Sequence, residues 1–533
     1  MVQTKLTDVK KGKVKAEELA TKQREISISE FFTKNRHLLG FDNPRKALIT
    51  SVKEAVDNSL DACEEIGVLP ELYVEIKQTT ETRYVMIIED NGPGIVKEQI
   101  PKIFTKLLYG SKFFKLSQSR GQQGIGISAA GLYGQLTTGK PVKIVSKTSK
   151  KGKAHYYELL LNTKTNEPEI VKEAVEEWEK DHGTRIEIEM EGKYHKGKLS
   201  VDEYLQLTAI SNPHATIIYK SPIQDKPIEF PRVINESPKQ AKEIKPHPYG
   251  IELGILIKML KDTKQKTLQG FLKHDFCRVS SKVAKEISDK AGLYEKARPS
   301  RIARQEADNL FQAIQKTRIM TPPTDCISPI GEEQMIKGMK KEIDAEFYAA
   351  VTRKPSVYRG NPFVIEAAVA YGGTLPGDEL VKVIRFANRV PLQHQAGACA
   401  ITKSTMQTAW RSYGLSQSRG ALPSGPAIIM IHMASVWVPF TSESKEAIAS
   451  YPEIIKEVKS ALQECGRKLA SHVRKIKKVE HEKKRKKIFE LYIQEVIHSL
   501  NKIDKIDKEK LKKKLENIAE ERTVGENGKQ KKG

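Results

Sequence analysis

Hydrophobic and polar residues alternate along several stretches of the first half of the chain, which is the pattern of half-buried strands. ELYVEIKQ (71–78) and RYVMIIED (83–90) are separated by a short polar turn and are predicted to be neighbouring strands. TRIEIEME (184–191) alternates strictly, and ATIIYK (215–220) repeats the pattern once more. Because VKEAVDNSLDAC (52–63) has helical spacing, this half of the chain is predicted to be a mixed α/β domain.

The second half begins with helices and returns to strands. A Pro-rich run at 237–250 is predicted to be a linker, and 251–325 has mainly helical patterns. From residue 331, three apolar runs are predicted to be buried strands: FVIEAAVAYGG (363–373), VKVIRFANRVPL (381–392) and AIIMIHMASVWVPF (427–440). A long amphipathic helix follows, and its predicted apolar stripe contains Ile454, Val458, Leu462 and Leu469.

Length, charge and cysteine content restrict the kind of protein. At 533 residues the chain can form two to four domains, and no run of about twenty apolar residues predicts a membrane-spanning helix. The 5 cysteines are far apart in the sequence, which is typical of buried thiols in a reducing cytoplasm. A formal net charge of +24 favours a polyanionic partner, above all nucleic acid, and the alternative is a lysine-rich surface of the thermophilic type.

The predicted helix 52–63 carries the first candidate chemistry. Its polar residues Glu54, Asn58 and Asp61 fall on one stripe among small and apolar neighbours. A carboxylate and an amide one helical turn apart can hold a water molecule and a metal ion at the same phosphate. The alternative is a solvated helical face whose carboxylates pair with lysines.

Three glycine-containing motifs follow this helix in the chain. In IIEDNGPGI (87–95), Asp90 ends a strand beside glycines that leave room for a ligand, although an ordinary Asx-turn also fits. In RGQQGIGIS (120–128), glycines precede a helix whose first N–H groups can bind phosphate. HGT (182–184) then opens a strand, where His182 fits a simple turn residue equally well. Each motif is weak alone, but their order predicts a nucleotide pocket.

In this order, the motifs resemble those of the GHKL ATPases, the family of gyrase-type topoisomerases, large heat-shock chaperones, MutL proteins and sensor histidine kinases. The resemblance implies an α/β sandwich that binds ATP and Mg²⁺. It implies Glu54 as general base for the attacking water, Asn58 as Mg²⁺ ligand, and Asp90, with Thr184 beside it, as acceptor for the adenine amino group. It also implies a phosphate lid composed of Gly121, Gln122, Gln123, Gly124, Ile125, Gly126, Ile127 and Ser128.

Two further segments extend the implied ATP site. Ser111 and Lys112 would stand at the start of the lid, although the tripeptide GSK is also common in ordinary loops. VPFTSESKEAIA (438–449) resembles the loop of a second domain that delivers a switch lysine to the γ-phosphate, and Lys445 would be that lysine. Such a lysine distinguishes ATP from ADP by charge, whereas the alternative for Lys445 is a residue at a capped helix start.

The remainder of the chain resembles one branch of this family, the B subunits of topoisomerase VI, a type IIB DNA topoisomerase. ISEFFTKNRHLLGFDNPRKAL (28–48) resembles their N-terminal strap, KPHPYG (245–250) the entry to their helix–two-turns–helix insert, and RFANRVPL (385–392) part of their transducer. We expect an N-terminal extension, a GHKL ATPase domain, the helical insert, a βαβ-containing transducer, and a long C-terminal helix as stalk with a basic tail. The expected boundaries are 1–28, 29–236, 237–325, 326–475 and 476–533.

The resemblance also implies partners and a place of action. Two copies would dimerise when ATP binds and join two A subunits, which cleave double-stranded DNA, in an A2B2 heterotetramer. The enzyme would relax supercoils in an archaeal cytoplasm, in association with the nucleoid. Two clusters of basic residues in the helical insert are candidate phosphate contacts, unless they form a solvated helical face: Lys258, Lys261, Lys264 and Lys266, and Arg298, Arg301 and Arg304.

The C-terminal tail combines lysine runs with apolar residues. Ile488, Leu491, Ile493 and Val496 predict a docking face for another protein, and the chain is expected to be disordered after Thr523. Two alternatives to a topoisomerase subunit remain open. One is another GHKL clamp, such as a MutL-like repair protein or a heat-shock-type chaperone, and the other is a basic DNA-binding protein with vestigial nucleotide motifs.

Overall fold

The computed structural model describes residues 26–112, 115–121, 124–442, 444–503, 507 and 509–518. The expected N-terminal extension lies almost wholly outside the described residues, as do the expected disorder after Thr523 and the lid residues Gln122 and Gln123. Among the helices of the described ranges, none combines the length and the apolar character needed to cross a membrane.

The first sheet has eight strands and contains all four strands predicted in the first half. They are β1 (Glu71–Gln78), β2 (Arg83–Glu89), β3 (Val142–Lys147), β4 (Ala154–Asn162), β5 (Glu167–Glu176), β6 (Gly183–Glu191), β7 (Thr216–Lys220) and β8 (Ile228–Phe230). The order is β5-β4-β3-β6-β2-β1-β7-β8, and every neighbouring pair is antiparallel except β1 with β7. The predicted neighbours β1 and β2 pair with Tyr73 opposite Glu89.

Helices pack on one face of this sheet and complete an α/β sandwich. They are α2 (Pro44–Glu65), α3 (Ile100–Thr105), α4 (Gly126–Thr138) and α5 (Val201–Ser211), and helix α1 (Ile28–Lys34) precedes them. Helix α2 begins at Pro44 because the Asn43 side chain accepts a hydrogen bond from the Lys46 N–H and proline fits the first helical position. Its apolar side, including Val52 and Val56, is fully buried in the core shared with the sheet.

The predicted helical region forms its own small core. Its helices are α6 (Leu253–Asp262), α7 (Leu268–Asp275), α8 (Ser281–Ala291) and α9 (Arg304–Lys316). Leu256, Phe271, Ile287 and Leu310 are fully buried at the centre of this cluster. The regular helical structure ends at Lys316, before the expected limit of residue 325, and Thr317 already has extended backbone.

The second sheet contains a strand in each of the three predicted apolar runs, but two of the runs are not strand throughout. The run 381–392 turns back at Asn388 and Arg389, whose positive φ values make a hairpin between two short antiparallel strands, and the run 427–440 is a strand only as far as Ser435. The strands of this sheet are β9 (Phe347–Thr352), β10 (Ser356–Tyr358), β11 (Asn361–Tyr371), β12 (Lys382–Ala387), β13 (Val390–Pro391) and β16 (Ala427–Ser435), and β14 (Ser416–Gln417) pairs with β15 (Pro423–Ser424) beside it. The order is β10-β11-β16-β12-β13, with β9 also paired to β11 and with β12 parallel to β16.

Three helices accompany the second sheet: α10 (Glu332–Glu342), α11 (Ala400–Gln407) and α12 (Pro452–Ile503). The predicted apolar stripe of α12 is confirmed, since Ile454, Val458, Leu462 and Leu469 are fully buried against the sheet. A further buried cluster joins Ile210 of α5 to Met339 of α10 and Phe386 of β12. This contact holds the end of β12 against the first sandwich.

Candidate active site

A cleft of about 550 Å³ lies where the first sandwich meets the second sheet. Its walls include helix α2, the segment after β2, the glycine-rich turn before α4 and the start of β6. The second half of the chain contributes Pro391, Gln393, His394, Ser444, Lys445 and Glu446. Motifs that are far apart in the sequence therefore meet in one concave site.

Helix α2 presents Glu54 and Asn58 to this cleft, as the spacing predicts. The Glu54 carboxylate lies against Gly126, and a β-carbon on that glycine would overlap it. Asn58 is exposed, and its Oδ1 lies near Gly121, where an added β-carbon would come within 3.3 Å of it. The acid therefore stands at the N-terminus of α4 and the amide at the start of the glycine-rich turn.

Asp90 is buried at the base of the cleft with its carboxylate held by three donors. Oδ2 accepts from the Ser59 hydroxyl at 2.8 Å, and Oδ1 accepts from the N–H groups of Gly92 at 2.9 Å and Thr184 at 3.1 Å. Burial raises the pKa of Asp90, and these hydrogen bonds oppose the rise. Since a carboxylate has about four acceptor positions, one remains to accept from an amino group in the cleft.

The HGT motif closes this end of the cleft. Thr184 lines the cleft, and its hydroxyl lies 3.2 Å from that of Ser146. Gly183 has φ +143°, and a β-carbon there would overlap the Asp90 carbonyl, so only glycine permits this approach. His182 lies outside the cleft lining, and its Nδ1 donates to the Gly92 carbonyl at 2.7 Å. His182 thus holds the loop after Asp90 in place.

The glycine-rich turn lies above the N-terminus of α4. Gly121, Gly124, Ile125, Gly126 and Ile127 line the cleft, while Gln122 and Gln123 lie outside the described residues. The sixth described lid residue, Ser128, is buried behind this surface and donates its hydroxyl to the Ile125 carbonyl at 3.2 Å. The N-terminus of α4 therefore lies beside Glu54, and a helix N-terminus is a favourable place for an anion.

Lys112 and Ser111 also line the cleft, but Lys112 has a protein partner. Its Nζ lies 2.6 Å from Oδ2 of Asp61, the third polar residue of the α2 stripe. Asp61 is buried, and Arg120 pairs with its other oxygen at 2.8 Å. Although burial alone would raise it, the two cations hold the pKa of Asp61 below its usual value. Asp61 is thus a structural anchor for the lid rather than a group in the cleft.

Lys445 reaches the same site from the loop after β16. It has φ +53°, and its Nζ donates to the Arg120 carbonyl at 3.5 Å, at the base of the lid. The next residue, Glu446, is buried and pairs with Lys46 of α2 at 2.7 Å. This ion pair fixes the Lys445 loop to the helix that carries Glu54.

Several lining residues were not predicted. Lys53 lies beside Glu54, and burial lowers its pKa. Tyr109 donates to Oε1 of Gln99 at 2.5 Å, on the wall opposite α2. Gln393 and His394 come from the segment after β13, and the only sequence signal for them is a polar pair directly after an apolar strand.

The donor set of the cleft fits a Mg²⁺ ion that is bound mainly by phosphates. Within the described residues, no cluster of three or more His, Cys, Asp or Glu side chains is arranged to hold a metal by itself. Mg²⁺ usually keeps several waters and takes one or two protein oxygens beside phosphate oxygens. The exposed Oδ1 of Asn58, near the glycine-rich turn, can supply such a single ligand.

Two family models match the chain, one over the first sandwich and the other over the second sheet. Residues 47–192 match the model described as "Histidine kinase-, DNA gyrase B-, and HSP90-like ATPase", and residues 322–486 match "Topoisomerase VI B subunit, transducer". Three relatives are each named as the B subunit of type 2 DNA topoisomerase 6. The protein of Methanosarcina barkeri is 53% identical, with 86% of this chain and 74% of the relative covered. The protein of Archaeoglobus fulgidus is 52% identical, with 85% of this chain and 75% of the relative covered. The protein of Natronomonas pharaonis is 37% identical, with 98% of this chain and 89% of the relative covered.

The chain belongs to the topoisomerase VI B subunit family. Its first sandwich has the GHKL ATPase fold and binds ATP, and its second sheet belongs to the transducer. Family membership makes it an ATP-driven subunit of a type IIB topoisomerase, which decides against the chaperone, repair and vestigial alternatives.

Proposed function

We propose that this chain hydrolyses ATP with the residues of the cleft and uses the energy to pass one DNA duplex through another. This proposal rests on one observation: Glu54, Asn58 and Asp90 of the first sandwich line the same cleft as Lys445, which follows the second sheet. A site built from two domains changes their relative position when the nucleotide changes. Hydrolysis at this site is therefore coupled to movement.

Each cleft residue has a distinct role in this proposal. Asp90 accepts from the adenine amino group with its remaining acceptor position, and Thr184 holds the Asp90 carboxylate in place. Glu54 accepts the proton of the attacking water, since its carboxylate stands at the N-terminus of α4. Phosphoryl transfer depends mainly on positioning and charge neutralisation, which the lid N–H groups and Lys445 supply.

Mg²⁺ supplies further charge neutralisation at the phosphates when it is bound with ATP. Asn58 would hold it through Oδ1, and Ser111 and Lys112 line the cleft before the lid. Of the lid residues, Gln122 and Gln123 are included in this role from the family pattern alone. Ser128 acts indirectly, because its hydroxyl holds the Ile125 carbonyl.

The domain division is part of the proposal. Residues 29–236 form the ATPase domain, 237–325 the helical insert, 326–475 the transducer and 476–533 the stalk and tail, after an extension at 1–28. The separate hydrophobic cores of the first sandwich, the insert and the second sheet support these limits.

The partners in this proposal are double-stranded DNA, a second copy of the chain and an A subunit that cleaves DNA in an A2B2 assembly. The basic residues predicted to contact phosphates are all exposed, namely Lys258, Lys261, Lys264, Lys266, Arg298, Arg301 and Arg304. On helix α12, Ile488, Leu491 and Val496 are exposed and support docking to the A subunit, whereas Ile493 is buried. Because these basic residues are exposed, we propose that the chain acts while bound to DNA.

ATP turnover by the purified chain tests the catalytic part of this proposal. We expect Mg²⁺-dependent hydrolysis that is stimulated by DNA when the A subunit is present. Because the contacts are proposed to be phosphate contacts, this stimulation should fall steeply as salt rises and vary little with DNA sequence. A sharp preference for one sequence, or no salt dependence, would contradict the proposed DNA surface.

A further inference from the structure

The turn between β12 and β13 connects the second sheet to the base of the lid. Ala387 pairs with Val390, so Asn388 and Arg389 form a two-residue hairpin turn. Their φ values are +48° and +68°, the conformation of a type I′ turn, in which asparagine and glycine are preferred. Arginine is unfavourable at the second position, and both side chains are buried. A strained, buried turn of this kind indicates that its side chains have a role.

Asn388 joins two segments that the proposed function requires to move together. Its Nδ2 donates to the Ser119 carbonyl at 3.0 Å and to the Ser435 carbonyl at 2.9 Å, and its Oδ1 accepts from the Ser435 N–H at 2.9 Å. Ser119 lies two residues before Gly121, where the glycine-rich lid begins, and Ser435 ends β16. The loop that follows β16 carries Lys445 to the carbonyl of Arg120, between Ser119 and the lid. Asn388 therefore connects the segment before the lid to the strand that leads into the Lys445 loop.

Arg389 holds the same turn through a second set of hydrogen bonds. Its guanidinium donates to the carbonyls of Ser211 at 3.2 Å and Pro329 at 3.1 Å, and its own carbonyl accepts from the Ser211 hydroxyl at 2.7 Å. Its N–H donates to Nε2 of His432 at 3.0 Å, so His432 carries its proton on Nδ1 and donates to Glu366 at 2.8 Å. These buried bonds hold the turn in one position relative to both domains.

The lid base is held from the opposite side by helix α2. Arg120 pairs with Asp61 at 2.8 Å and with Glu64 at 2.7 Å, and its N–H donates to Asp61 at 3.2 Å. These carboxylates follow Asn58 on the same helix. A displacement of residues 119–121 therefore disturbs both the α2 anchor and Asn388.

We infer that Asn388 is a positioning residue for the ATPase reaction, which couples the position of the lid to that of Lys445 through its bonds to Ser119 and Ser435. This inference rests on the proposed function, because it assumes that the cleft binds ATP and that Lys445 reads its γ-phosphate. Asn388 itself lies outside the residues that line the main cleft, so its effect is exerted through the lid and the switch loop.

The test compares ATP and ADP affinities of Asn388→Gly with those of the wild-type chain by calorimetry. Glycine accepts positive φ and removes the amide, and Asn388→Asp keeps the size but lacks the Nδ2 donors. We expect both variants to bind ADP within about twofold of wild type and to lose about two- to tenfold in the ratio of ATP to ADP affinity, the value of one neutral hydrogen bond. Asn361→Ala, an asparagine of β11 near another turn, is the matched control and should leave the ratio unchanged.

A double-mutant cycle with Lys445→Ala separates positioning from a general structural effect. If Asn388 acts through Lys445, Asn388→Gly should change the ATP to ADP ratio little once Lys445 is removed. The inference would be overturned if the variants weakened ATP binding and ADP binding equally, or if the effects of the two substitutions were additive in the cycle. It would also be overturned if both folded variants kept the wild-type preference for ATP over ADP. If the wild-type chain binds neither nucleotide, the proposed function itself fails.

Discussion

Gly126 begins helix α4 where the Glu54 carboxylate leaves no room for a side chain. A β-carbon at this glycine would overlap the carboxylate, so the glycine sets the distance between the proposed base and the start of α4. The close approach links two motifs that are separated in the sequence by strands β1 and β2 and helix α3.

Gly126→Ala should therefore lower ATP turnover at least tenfold while the chain stays folded, because the added methyl group displaces Glu54 or the start of α4. Steady-state hydrolysis, with circular dichroism as a check on folding, measures this effect. Gly254→Ala is the matched control, since no atom lies within 4 Å of its added β-carbon. Equal turnover in both variants would mean that the Gly126–Glu54 contact is irrelevant to catalysis.

Asp90→Asn should weaken the binding of both ATP and ADP, since each carries the adenine. The amide would place an NH₂ group among the three donors that now bind the carboxylate, those of Ser59, Gly92 and Thr184. Calorimetric affinities should fall about tenfold or more for both nucleotides. Asp181→Asn, an exposed aspartate beside the HGT motif, is the control. Unchanged affinity in Asp90→Asn would remove Asp90 from the adenine contact.

Asp57 makes stability depend on pH in a predictable direction. It is buried on α2 beside Glu54 and Asn58, accepts from the Tyr204 hydroxyl at 3.0 Å, and burial raises its pKa to about 7. A carboxyl whose folded pKa exceeds its unfolded value contributes stability at low pH and loses it as pH rises toward the folded pKa. Relative to Asp57→Asn, the wild-type chain should lose stability as pH rises from the unfolded pKa of 3.8 to the folded pKa of about 7, and its stability should change little above that. Denaturant unfolding of both chains measures this, and parallel pH curves would exclude a raised pKa.

Lys445→Ala should impair hydrolysis and reduce the preference for ATP over ADP. A charge-assisted contact is worth about 1.5–3 kcal/mol, so the ratio of the two affinities should fall about ten- to a hundredfold while ADP binding is nearly unchanged. Lys445→Arg should restore the preference only in part, because a guanidinium is broader than an ammonium. Lys403→Ala, an exposed lysine of α11, is the control. Equal loss of affinity for ATP and for ADP would indicate that Lys445 is a packing residue without a γ-phosphate contact.

Local patterns were sufficient to predict the parts of the fold that depend on them. The alternation in β1, β2 and β6 and the apolar stripe of α12 predicted elements that are present. Strand β5, with the sequence EPEIVKEAVE, was not predicted, because its Glu, Lys and Ala residues favour helix. It is an exposed edge strand, and its pairing with β4 overrides that preference.

The site could be predicted where one motif supplies both the side chain and its surroundings. Glu54 and Asn58 share one helix, so their spacing alone placed them on a common face. His394 and Gln393 could not be predicted, because they reach the cleft only through the docking of the second sheet on α5. The pairing of Lys112 with Asp61 likewise depends on a contact between residues 51 positions apart.

Relaxation of supercoiled plasmid by the chain co-expressed with an A subunit tests whether ATP hydrolysis that depends on Glu54 drives strand passage. The wild-type assembly should relax the plasmid only with ATP and Mg²⁺, and omission of the A subunit should abolish relaxation. Glu54→Ala should still bind ATP, hydrolyse it at least about a hundredfold more slowly and fail to turn over in relaxation. Wild-type relaxation by Glu54→Ala, or relaxation without any nucleotide, would contradict the account.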